Sequence, residues 1–118
     1  MALSSFVNTL EAQQPAPIPK VIDHYARVFQ IEPGALYELM ECESGGNPKS
    51  FNPADPNGGS YGLYQYQKKT WDLFAKEARV ENPDIWNPHD QILVTAYAFS
   101  RGRQNHWWNC TNAKTATL

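Results

Sequence analysis

The sequence predicts a mainly α-helical domain: about five helices around a cleft, with one small hairpin or ordered loop inserted after the second. Three observations point there. Apolar residues recur at helical spacing in successive stretches separated by Pro, Gly and Asn. Residues 47–62 interrupt that pattern with a dense run of turn signals. The chain, at 118 residues, is one small domain, long enough to bury a single core.

The elements follow in order. Residues 1–20 hold Gln13-Gln14 and prolines at 15, 17 and 19, and read as a flexible or extended arm. The domain proper spans 21–112, and 113–118 reads as a tail. Val21, Ile22, Tyr25, Ala26, Val28 and Phe29 mark a first amphipathic helix. Pro33 suits the first turn of the second, where a missing N–H costs nothing. Leu36, Leu39 and Met40 form its apolar stripe, and Gly45-Gly46 with Asn47-Pro48 end it. Asn52-Pro53, Asp55-Pro56 and Asn57-Gly58-Gly59 then fill the insert, and Asn57-Gly58 favours a hairpin. Ser60 to Tyr66 is a short strand or irregular. A helix resumes at Lys69 or Thr70 with Trp71, Phe74, Ala75 and Ala78 inward, Trp71 as core. Asn87-Pro88-His89-Asp90 is an N-cap, an N1 proline and an early acid. Ile92, Leu93, Ala96, Tyr97 and Ser100 line one side of the helix it opens. Trp107 to Cys110 make a last short helix or turn.

Composition narrows the function. A net charge of -2 and a pI near 5.9 give no electrostatic footprint for nucleic acid. No apolar run is long enough for membrane insertion. The first residues, Met1-Ala2-Leu3-Ser4-Ser5-Phe6, lack a basic n-region and a continuous apolar h-region, so they do not read as a signal peptide. Cys42 and Cys110, with His24, His89 and His106, form no ligand pattern, so neither a metal nor a cofactor is expected. Cysteine arithmetic leaves a disulfide and two buried thiols both open. A bond would close a long loop and stabilise by roughly 2–4 kcal/mol.

One acid is out of place. Glu43 follows Leu36 by seven residues, Leu39 by four and Met40 by three, which puts it on the core face of its helix. A carboxylate there is costly unless it has a use or a partner. Partial burial and a helix C-terminus both favour its protonated form, as a general acid needs. The plainer alternative is a Glu paired with an Arg or capping a loop N–H. Glu38 and Glu41 lie on other faces as ordinary solvent carboxylates. Asp55 is the one acid between Glu43 and Asp72, and it either faces Glu43 across a cleft or makes an Asx turn before Pro56. Of the aromatic residues, 13% of the chain with four Trp and six Tyr, some must be core, while flat rings also suit sugar faces.

Cys42-Glu43-Ser44-Gly45-Gly46-Asn47-Pro48, Ser60-Tyr61-Gly62-Leu63-Tyr64-Gln65-Tyr66 and Thr70-Trp71 together resemble the lysozyme-like superfamily. Both the soluble lytic transglycosylase domain and the resuscitation-promoting-factor type are similar, over roughly residues 33 to 110. The resemblance implies a lysozyme-like fold acting on peptidoglycan glycan strands. It makes Glu43 the catalytic acid that cleaves the β-1,4 bond from N-acetylmuramic acid to N-acetylglucosamine. It implies that Ser44 shapes the site, that Gln65 of Gly62-Leu63-Tyr64-Gln65 contacts substrate, and that Tyr97 hydrogen-bonds near Glu43. The family Asn after that Tyr is Ala98 here. Asn57, Tyr61 and Tyr64 are further candidate substrate contacts. In the resuscitation-factor type, a Cys beside the catalytic Glu bonds to one near the C-terminal end, which implies a Cys42–Cys110 disulfide.

Three readings of activity follow. A lytic transglycosylase uses the substrate's own acetamido and C6 hydroxyl groups, needs no second acid, and is favoured. A muramidase would use Asp55 beside Glu43; the position five after Gly62, acidic in goose-type lysozymes, is Gln67 here. A non-catalytic peptidoglycan-binding or structural protein would not need an acid on the apolar face. The expected site of action is the cell wall, periplasm or exterior, reached from a phage virion or as a trimmed secreted domain. The proline-rich arm would suit tethering to a larger protein or virion assembly.

Overall fold

The helix over Pro88–Ser100 is the axis on which the rest is packed. The computed structural model describes residues 16–111. The 113–118 tail and residues 1–15 of the expected arm lie outside them. Among the described residues the order is α1 (Ile18–Phe29), α2 (Pro33–Ser44), β1 (Phe51–Asn52), β2 (Ser60–Tyr61), α3 (Lys68–Glu77), α4 (Pro88–Ser100) and a 3-10 turn (Gln104–Trp107). The structure is mainly α with a small antiparallel hairpin, the class expected.

Helix α1 begins at Ile18, earlier than its first buried residue, because Pro19 in its first turn gives up no needed hydrogen bond. It buries Val21, Ile22 and Ala26, with Tyr25 and Phe29 half-covered and Val28 in solvent. In α2 the buried residues are Leu36, Leu39 and Met40, the predicted stripe. Helix α3 turns Trp71, Phe74 and Ala75 inward.

The expected one-sided pattern of α4 is incorrect. Its buried residues are Gln91, Ile92, Val94, Thr95, Ala96, Ala98 and Phe99, while Leu93 and Tyr97 are half-covered and Ser100 is exposed. A helix packed by neighbours on most sides needs no amphipathic stripe. Its start follows the sequence: the Asn87 side chain accepts from the His89 and Asp90 backbone N–H groups at 2.8 and 3.2 Å.

The hairpin pairs Phe51 with Tyr61 and Asn52 with Ser60, and residues 53–59 connect its strands. Asn57 sits in the left-handed region at φ 65°. After β2 the chain doubles back at once, with Tyr61 and Tyr66 exchanging both backbone hydrogen bonds at 2.9 Å. Tyr64 and Tyr66 are both fully buried and Tyr61 is half-exposed, so the two sets face opposite ways. A turn, not a strand, separates them.

Gln91 is one of the buried polar residues of this core, with Ser60 and Thr95. Its Oε1 accepts from Leu63 N–H at 2.8 Å, and its Nε2 donates to Ile85 O at 2.5 Å and Pro48 O at 3.4 Å. A Cβ on Gly62, which has φ 82°, would fall 2.6 Å from Gln91 Nε2, so the approach needs glycine. Gln91→Ala leaves Leu63 N–H without its buried acceptor. We expect a loss of about 2–3 kcal/mol in chemical denaturation; unchanged stability would show that the carboxamide is not holding the segment.

Candidate active site

Glu43 lies in the last turn of α2, just before the left-handed Gly45. The helix ends there because Ser44 and two glycines close it. The Ser44 hydroxyl donates to Met40 O at 3.2 Å and accepts from Gly46 N–H at 3.2 Å. Ser44 thus fixes the chain's exit beside Glu43.

Two features crowd the Glu43 carboxyl. Cys42 and Cys110 are disulfide-bonded, which ties the end of α2 to the segment after the 3-10 turn. Cys110 Sγ lies 3.3 Å from Glu43 Oε1. An oxidised sulfur has no proton to donate, so this contact excludes water from the oxygen without stabilising its charge. The second feature is Asp55, in the hairpin loop, close enough for its charge to act on Glu43. Burial first, and Asp55 second, raise the Glu43 pKa to about 7.

Asp55 does not make the Asx turn that competes for it in the sequence. Asn52 and Asn47 do that work, accepting from Ala54 N–H at 3.1 Å and Lys49 N–H at 3.0 Å. The Asp55 carboxylate instead accepts from the hydroxyl of buried Ser60 on β2. That bond fixes Asp55 to the hairpin, and Gln91 fixes the hairpin's flanks through Pro48 and Leu63.

Three of the expected substrate contacts are placed differently. Tyr64 is fully buried, its hydroxyl donates to Leu36 O at 3.1 Å, and its carbonyl accepts from Trp107 Nε1 at 2.9 Å. It is a core residue, and burial pushes its phenol far up. Gln65, at φ 52°, spends its amide nitrogen on Gly62 O at 2.9 Å and Ser50 O at 3.2 Å, so it holds the loop. The Tyr97 hydroxyl accepts from Arg101 Nε at 3.3 Å, and its ring meets Phe29 of α1 edge-on. The ring thus packs toward α1, and the hydroxyl is paired with Arg101 rather than with Glu43. Asn57 is exposed and donates to Gln67 at 3.4 Å, and Tyr61 is half-exposed on the hairpin.

Ser60 and Gln91 escaped the sequence reading. Gln91 carried a signal, a polar residue beside Ile92 and four before Thr95 in an apolar run. Ser60 carried none. A separate concavity of about 560 Å³, lined by Asp23, Ala26, Arg27, Gln30, Ile31 and Pro33, includes none of these site residues.

The site therefore joins a proton-bearing carboxyl near neutral pH to a fixed second carboxylate. Because the folded pKa of Glu43 is raised, its contribution to stability is full below its ordinary carboxyl value and is lost as pH rises through about 7. Glu43→Gln should therefore melt higher than the parent at pH 8, with the difference vanishing near pH 4. Equal melting temperatures at both pH values would remove the case for a raised pKa.

A family model described as the transglycosylase SLT domain matches residues 20–115. No curated protein and no solved structure matches the chain.

Proposed function

Because the chain belongs to the transglycosylase SLT domain family, we propose that it is a lytic transglycosylase of peptidoglycan with Glu43 as its catalytic acid and base. The bond cut is the β-1,4 link from N-acetylmuramic acid to N-acetylglucosamine. The observation that carries this reading is the half-buried Glu43 carboxyl with its pKa raised to about 7. A protein that only bound the wall would have no use for that cost.

The steps follow from the carboxyl's two protonation states. Protonated Glu43 gives its proton to the bridging oxygen, and the bond from that oxygen to C1 of the muramic acid breaks. Positive charge grows at C1 and is met by the substrate's own acetamido oxygen, with the Asp55 carboxylate adding a favourable field. Glu43, now a carboxylate, takes the proton of the C6 hydroxyl while that oxygen bonds to C1 and releases the acetamido group. A 1,6-anhydro sugar leaves and Glu43 is again protonated. No water is consumed and the proton balance closes on one residue. The site of action in this reading is the cell wall, reached from a virion or as a secreted domain.

A second reading, a muramidase, is favoured by the Ser60 bond that fixes Asp55 within electrostatic reach of Glu43. There Asp55 would serve water or the sugar carbon directly. Mass spectrometry of digested muropeptides separates the two. We expect anhydromuramyl ends, and a loss of about 10³-fold with Glu43→Gln; digestion that survives that substitution would overturn the assignment. Asp55→Asn should keep anhydro products and move the alkaline limb of the pH profile, near 7 in the parent, to lower pH. Reducing muramic acid ends in the parent, lost in Asp55→Asn, would establish the muramidase instead.

A further inference from the structure

We propose that Phe51, Tyr61 and Trp86 form a saccharide-stacking subsite that holds the glycan strand away from the scissile bond, with Lys68 at its rim for the strand's acidic peptide stems. The inference rests on the peptidoglycan reading above and extends it to a surface outside the acidic pair.

The rings come from three segments and meet outside the core. Phe51 and Tyr61 are register partners across the hairpin, with centroids 4.9 Å apart and planes at 42°. Trp86, from the segment before α4, stands edge-on to Tyr61 at 5.2 Å and 78°. Phe51 remains 48% exposed and Trp86 39%. Exposed Val28, Leu73 and Trp108 take no part in this group and need no special account. Three converging rings at the surface do need one, since contiguous exposed apolar area marks binding.

Two of the rings and the backbone beneath the third are held in place. The Tyr61 hydroxyl is committed to Gly58 O at 2.8 Å. Phe51 lies over Gly59, where a Cβ would fall 2.7 Å from its ring, so glycine lets the ring sit against the backbone. The Trp86 backbone N–H donates to the Asp84 carboxylate, and the Asp84 backbone N–H donates to Asp90 of α4, which fixes the segment that carries the indole. Rings fixed in advance lose little freedom on binding.

The chemistry of the rim selects a sugar over an apolar partner. The rings make an angled corner rather than a flat face. That corner fits a pyranose, whose C–H face stacks while its equatorial groups reach outward. Lys68 Nζ lies 5.5 Å from the Tyr61 ring centre, and Asn57 and Gln67 form a polar pair beside it. A lysine there matches the carboxylates of peptide stems, and the amides match acetamido groups. The surface is also continuous with the site, because the hairpin that carries Phe51 and Tyr61 carries Asp55 in its loop.

The test is binding of the Glu43→Gln protein to insoluble sacculi, where no cleavage intervenes. Adding Trp86→Ala or Phe51→Ala should weaken binding roughly 5–10-fold, and Trp86→Phe should restore most of it. Lys68→Gln should weaken binding to sacculi but not to chitin oligosaccharides, which lack peptide. Melting temperatures establish that each variant is folded, and Phe51→Ala carries the test if Trp86→Ala is not. Undiminished binding by the folded alanine variants would overturn the subsite while leaving the proposed function intact. Failure of Glu43→Gln itself to bind sacculi would overturn the peptidoglycan reading, and this subsite with it.

Discussion

The buried carboxamide of Gln91 reaches from the central helix to both flanks of the hairpin, and the geometry of the acidic pair depends on that reach. Leu63 N–H and Pro48 O lie on either side of the inserted segment, and one side chain bonds both. The segment is too short in strand to stabilise itself, because two residues per strand make no independent sheet. It is held instead by Gln91, by Gly62's close approach and by the Gln65 amide. With the flanks fixed, Ser60 can fix Asp55, and Asp55 can act on Glu43.

The other wall of the site is covalent. The Cys42–Cys110 bond brings a sulfur against Glu43 that offers bulk and no proton. A carboxyl so placed is pushed toward its neutral form, which costs stability when it ionises. That cost is the expected signature of a functional group held in an unfavourable place. The disulfide also offsets it: the linkage closes 68 residues of sequence separation, and such a loop is worth a few kcal/mol, roughly 2–4.

Local chemistry was legible in the sequence wherever it was decided locally. The α4 start followed from Asn87 and Pro88, and the α2 stripe from Leu36, Leu39 and Met40. Glu43 stood out because periodicity put an acid among them. What was illegible was decided by distant partners. Tyr64 reads like a cleft residue by its motif, yet its ring fills the core, where its hydroxyl donates to Leu36 O and its carbonyl accepts from Trp107 Nε1. Tyr97 faces α1 because α4 is packed on most sides, a fact that no periodicity within α4 can encode. Asp55 was ambiguous because its partner, Ser60, follows the turn sequence that made the Asx alternative attractive.

The central claim is that the walls around Glu43 keep its carboxyl protonated near neutral pH. The direct measurement is a carbon NMR titration of the Glu43 side-chain carboxyl in the oxidised protein, with Glu43→Gln used to assign the signal. The account predicts a midpoint near the value of about 7 set by burial and Asp55. A midpoint in the ordinary glutamate range, about 4.3, would contradict it.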